Sequence, residues 1–208
     1  MASLRFPFLF AMTVLACVAG HATTLSAQSL EITPFGGYRF GGDFFELVTG
    51  QPVDLDGSLA VGVVVDVPLG YGVSFEGLFS HQSASLALPA SSLGVGLVPW
   101  RISVDHWQAG GQQEQGKGRV RPFYSGRVGL TRYATEGDAE IRFAVGGGGG
   151  VKFLFSRNVG VRLNTDVFAT FVDPNGRVAC ANNRCLIAFD PGLVWQIEFT
   201  AGLIVRFP

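Results

Sequence analysis

From Trp195 to Phe207 the side chains alternate without a break. Trp195, Ile197, Phe199, Ala201, Leu203, Val205 and Phe207 fall on one face. Gln196, Glu198, Thr200, Gly202, Ile204 and Arg206 fall on the other. A period of two over about thirteen residues is a long β-strand, because successive side chains of an extended chain point to opposite faces. Most strands of water-soluble domains are shorter. A tilted strand that crosses a bilayer needs about 9–11 residues. A strand that is greasy on one side and mostly polar on the other has to separate two unlike media along its whole length.

Seven earlier segments repeat the pattern: Leu30 to Phe44, Leu59 to Val67, Tyr71 to Gln82, Trp100 to Ala109, Pro122 to Tyr133, Glu140 to Phe155 and Val159 to Phe171. The eighth runs from Phe189 to Phe207. None has a 3.6-residue period, and glycine and proline punctuate nearly every junction. The prediction is an all-β fold, an eight-stranded antiparallel up-and-down transmembrane β-barrel. The connections alternate in length. Pro68–Tyr71 and Ser156–Val159 are tight, whereas Asp43–Ser58, His81–Pro99 and Asp173–Ala188 are long. Short turns on one rim and long loops on the other are the asymmetry of outer-membrane barrels, and the scheme puts both termini on the short-turn, periplasmic side. The connection Gly110–Arg121 is on that side too, and is longer than the scheme requires.

Composition excludes the main alternatives. Of the 208 residues, 48% are hydrophobic, yet no run of about eighteen apolar residues occurs, which argues against membrane-spanning helices. The net charge of −1 gives no reason to expect a nucleic-acid partner. The N-terminus has the plan of a secretory signal, with Arg5 before an apolar core from Phe6 to Gly20 and small residues after it. Cleavage is placed near Ala27–Gln28, with Ala22 as a second candidate. The expected division is therefore a signal peptide over 1–27 and an outer-membrane barrel domain over 28–208. Cys17 falls in the apolar core, and Leu15 fits a lipoprotein cleavage box poorly. In an exported chain the remaining close pair, Cys180 and Cys185, is expected to form a disulfide. Alone it offers too few ligands for a metal, and neither a metal nor a cofactor is predicted.

The sequence does not fix which face of the barrel is inside, but two arguments favour apolar outward. The interior of eight strands is narrow, and bulky residues on every inward face would overfill it. Gly146, Gly148 and Gly150 on the charged face relieve crowding there. Aromatic residues also gather at both ends: Tyr71, Phe155 and Phe207 near the short turns, and Phe44, Phe79, Tyr133, Phe143 and Phe171 toward the long loops. The lumen is then expected to hold Arg39, Asp66, Glu76, Arg101, Asp105, Arg127, Arg142, Lys152, Arg162, Asp166, Glu198 and Arg206. Buried charges need partners, so these predict a hydrogen-bonded polar filling rather than an open path.

On these features the chain resembles the small outer-membrane β-barrel family of Gram-negative bacteria, of the OmpA, OmpX and OmpW type. The stretch Thr200-x-Gly202-x-x-Val205-x-Phe207 is similar to the insertion signal of such barrels. Arg121-Pro-Phe-Tyr-Ser-Gly-Arg-Val-Gly129 resembles one of their mid-barrel strands. Pro208 after Phe207 is a departure, since family members usually end on the aromatic residue. The resemblance implies insertion by the barrel assembly machinery. Contact with outer-membrane lipid and lipopolysaccharide, and a monomeric state, are expected.

The expected role is non-enzymatic, with loops serving surface interaction or envelope integrity. Candidate contact segments are Glu46–Asp56, Ala84–Leu97 and Asn175–Asn183. The alternatives are a narrow channel for small hydrophobic solutes, a soluble lipocalin-like barrel and a lipid A-modifying enzyme at the rim. The last rests on His81 and Ser83, which share a strand face about 7 Å apart. The sequence places no acid clearly beside them, such enzymes carry their histidine–serine motif near the C-terminal strands rather than at the end of the third, and Ala84 stands where they have asparagine. Gly146 to Gly150 lack the Lys-Ser/Thr and the helix that a phosphate loop needs.

Overall fold

The computed structural model describes residues 29–46, 52–54, 56–86, 100–135, 138–172, 177–181, 184–189 and 192–208. The proposed signal segment lies outside them. The described residues form twelve strands: β1 (Leu30–Phe40), β2 (Asp43–Glu46), β3 (Pro52–Asp54), β4 (Ser58–Gly70), β5 (Val73–Leu86), β6 (Trp100–Glu114), β7 (Val120–Thr135), β8 (Asp138–Leu154), β9 (Val159–Val172), β10 (Arg177–Ala181), β11 (Arg184–Phe189) and β12 (Gly192–Phe207). Eight of them close a barrel in the order β1-β12-β9-β8-β7-β6-β5-β4, with each neighbouring pair antiparallel. Pairing of β1 with both β12 and β4 abolishes the free edges that an open sheet would leave.

The alternation resolves as apolar outward. Val61 is 56% exposed and Leu203 49%, whereas Arg162 is 2% exposed and Glu198 is fully buried. Phe75, Val128, Ile141, Phe143, Leu163, Trp195 and Phe199 are exposed on the same outer wall. A soluble protein does not expose a continuous apolar surface of this extent, so the barrel is built for a hydrocarbon surrounding. Phe79–Trp107, Phe143–Phe171 and Phe40–Phe199 form ring pairs on that wall, with centroids 4.2, 5.6 and 5.8 Å apart. Tyr133 is not among the outward aromatics. It lies on the same face of β7 as Phe123 and Arg127 and is fully buried in the lumen. The side chain of Phe44 lies outside the described residues.

Several boundaries differ from the sequence reading. β6 continues to Glu114, because Gln108, Gly110, Gln112 and Glu114 carry on the inward alternation. The connection to β7 shrinks to residues 115–119, and the irregular long connection on the short-turn rim disappears. The first segment is cut at Gly41 and Gly42, both at positive φ (92° and 110°), after which the chain enters β2. At the other end, Phe189 belongs to β11 rather than to the last barrel strand. Two connections read as loops are hairpins: β2–β3 and β10–β11 join through β11–β2 into a second sheet ordered β10-β11-β2-β3. That pairing links segments more than 130 residues apart, so no local pattern announces it. β10 also approaches β7 and β8.

Candidate functional site

The lumen is ordered in layers. Nearest the short turns, the Lys152 ammonium donates to Glu31 (2.6 Å), Glu114 (2.8 Å) and Asp66 (3.1 Å). Arg206 holds the other oxygen of Glu31 at 2.6 Å, and Arg121 the other oxygen of Glu114 at 3.2 Å. Arg162 bridges Asp66 (3.1 Å) and Glu76 (2.7 Å). Arg127 bridges Glu76 and Asp166. Five cations thus alternate with five carboxylates in one connected network. Alternation matters because a charge removed from water is tolerated only with a close opposite charge and hydrogen bonds. The Phe123 ring lies 4.3 Å from the Arg162 guanidinium, a cation–π contact that shields this layer.

Above the network sits an apolar septum. Phe35, Val64, Leu78 and Phe168 are buried together. On three strands the septum residue occupies the inward position next after a network carboxylate: Val64 after Asp66, Leu78 after Glu76 and Phe168 after Asp166. Phe35 similarly lies on β1 between Glu31 and Arg39. Toward the long connections a second polar group begins. Arg39 donates to Glu198 at 2.7 Å and to Ser80, and Ser80 donates to Glu198 at 2.8 Å. His106 stacks on Phe168 with centroids 4.1 Å apart. Its ring nitrogens meet Thr131 (2.8 Å) and Gln196 (3.0 Å). Ile102, Val104 and Tyr133 are also buried, on the long-connection halves of β6 and β7.

Of the predicted lumen charges, Arg39, Asp66, Glu76, Arg127, Lys152, Arg162, Asp166, Glu198 and Arg206 take part in these groups. Arg142 shares the inward face but pairs with Glu140 near the rim. Two predictions are corrected: Asp105 and Arg101 face outward. Ile102, Val104 and His106 take the inner face of β6, which forces their odd-numbered neighbours to the outer one. Where the wall passes above the apolar belt, the usual polarity reverses and ionic groups turn outward. Glu31, Glu114 and Arg121 were missed as network members. Extending the alternation of the fourth segment by five residues would have found Glu114.

The outward polarity of β6 builds a second constellation. His81 lies directly across from Asp105, and Asp105 directly across from Arg132, in the registers of β5–β6 and β6–β7. His81 Nδ1 stands 2.6 Å from Asp105 Oδ1, and His81 Nε2 stands 3.2 Å from Ser83 Oγ. Arg132 donates to the second Asp105 oxygen at 3.0 Å. Immediately below, Val63, Val65, Phe79, Trp107, Val128 and Leu130 wall an open apolar groove of about 470 Å³. Gly77 and Ala109 form its floor.

Thr200 and Gly202 fall on the inward face of β12, and Val205 and Phe207 on the outward one, with Val205 paired to Ile32 and Val159. Cys180 and Cys185 are register partners across β10 and β11.

No family model matches the chain, and no curated protein is similar to it in sequence. Solved structures do match it in shape. Neisserial surface protein A is similar over 86% of this chain and 97% of its own, at 11% identity and a TM-score of 0.57. The outer membrane protein OprG from Pseudomonas aeruginosa is similar over 87% of this chain and 96% of its own, at 14% identity and a TM-score of 0.54. What the chain shares with both is the fold of a small outer-membrane β-barrel.

Proposed function

We propose that this protein resides in the bacterial outer membrane as a sealed barrel, with the short-turn rim toward the periplasm. It works at its outer wall and long-connection end rather than by passing solutes. The carrying observation is the layered lumen, in which the septum of Phe35, Val64, Leu78 and Phe168 separates two ion-paired groups. A pore needs a wetted path, and eight strands leave little room for one. The septum also argues against a channel for hydrophobic solutes along the axis, since its members are buried against one another between the two ion-paired groups. The long-connection end suits surface interaction, because β2, β3, β10 and β11 give its loops a ladder of their own. Planar-bilayer recording on the refolded chain tests the reading. A closed baseline is expected, and regular unitary conductance from the unmodified protein contradicts it.

A further inference from the structure

We infer that Ser83, His81 and Asp105 form a catalytic relay on the outer wall, which hydrolyses the O-acyl ester of an anionic membrane lipid. The inference rests on the membrane placement proposed above. A carboxylate can only accept, so Asp105 fixes the proton of His81 on Nδ1. That leaves Nε2 as the acceptor facing the Ser83 hydroxyl at 3.2 Å. Nucleophile, base and orienting acid are therefore in the order that acyl transfer needs. Arg132 is a positioning residue that steadies the far oxygen of Asp105. Its side chain is 45% exposed, which leaves it open to a lipid phosphate as well.

The surroundings specify the substrate. The relay is not in the lumen. It stands on the outward face at the upper edge of the apolar belt, where a lipid's ester linkages lie between headgroup and hydrocarbon. The groove beneath it, between Phe79, Trp107, Val128 and Leu130 above a floor at Gly77, adjoins the relay on the same outward face and offers an acyl chain an apolar seat. Ser103, directly across from Ser83 in register, offers a hydroxyl on the same face for the developing oxyanion.

The chemistry balances as a hydrolysis. Ser83 Oγ bonds to the ester carbonyl carbon while its proton passes to His81 Nε2. The carbon–oxygen bond to the lipid alcohol breaks, and the alcohol leaves with that proton. Water, activated by His81, then cleaves the acyl-serine and releases a fatty acid.

The test uses the refolded full-length barrel in vesicles, with folding of every variant read by heat-modifiable migration. One arm supplies glycerophospholipid and a second supplies lipopolysaccharide, so that the arms identify the lipid. Fatty-acid release from either arm is expected, together with labelling of Ser83 by an alkyl fluorophosphonate located by mass spectrometry. Ser83→Ala should lose both. Asp105→Asn should slow release by at least about 100-fold and alter its pH profile. Gly77→Leu should fill the groove without a backbone clash, since a Cβ there meets only the Val65 carbonyl, at 3.9 Å. It should depress hydrolysis of long-chain esters more than tenfold and leave short-chain esters nearly unaffected. A folded barrel that neither releases fatty acid nor labels at Ser83 overturns the relay. Because folding and conductance are measured separately, that result leaves the sealed-barrel reading standing.

Discussion

Tyr71 carries φ +53°, beside Gly72 at φ +79°, in the two-residue turn between β4 and β5. Both values are those of a type I′ hairpin, which favours Asn-Gly. A tyrosine there opposes its own backbone preference, so Tyr71→Asn is expected to raise the urea midpoint by the equivalent of about 1 kcal/mol. Unequal consequences are expected on the two faces of the glycine run in β8. A Cβ at Gly148 would drive into the Asp166 carboxylate, whereas one at Gly147 meets only the Ser125 carbonyl, at 3.6 Å. Gly148→Val should therefore part Asp166 from Arg127 and cost about 3–5 kcal/mol, the range for breaking one partner from a buried pair. Gly147→Val should stay within about 1 kcal/mol of the parent. The role of these glycines was legible from their alternation with charged residues. The side chains that occupy the space were not, because Gln108 and Asp166 reach it from β6 and β9.

Buried ion pairs between strands hold the lumen, and their worth is asymmetric. Glu198→Leu strands Arg39 in a fully buried position and should cost about 3–5 kcal/mol in unfolding measurements. Adding Arg39→Met should recover most of that loss, because two well-packed apolar chains replace the pair without leaving a lone charge. A double variant no better than the single one would show that Arg39 is held by other groups. At the β10–β11 hairpin, the opposition of Cys180 and Cys185 favours a disulfide. Intact mass should show two hydrogens fewer before reduction than after it, and the cross-link should contribute about 2 kcal/mol in the chain-entropy view. Reactive thiols in the oxidised protein would contradict this. Element existence was legible wherever a period of two ran uninterrupted. It was lost where glycine-rich segments such as Gly110–Gly111 hid the continuation of β6, and where β2 and β11 owe their pairing to a partner remote in sequence. Asp105 was assigned to the wrong face because a uniform apolar-outward rule ignored Ile102, Val104 and His106. The same slip concealed the acid that orients His81.

In the assembled barrel, the apolar wall and the paired lumen charges are two aspects of one arrangement. Neither face is stable in water if exposed: the outer belt would aggregate, and the network would lose the water-poor, low-dielectric interior in which its pairs attract most strongly. Its position in a bilayer is therefore the condition on which the lumen, the sealed axis and the outer-wall relay all depend. Trp107 and Trp195 are both more than half exposed on that wall and serve as native reporters. Fluorescence of the refolded chain in vesicles containing lipids brominated on the acyl chain measures their surroundings directly. Strong quenching, abolished when bromine is confined to the aqueous phase, is the predicted result. Tryptophans unaffected by brominated acyl chains but readily quenched by aqueous bromide would contradict an outer wall that faces hydrocarbon.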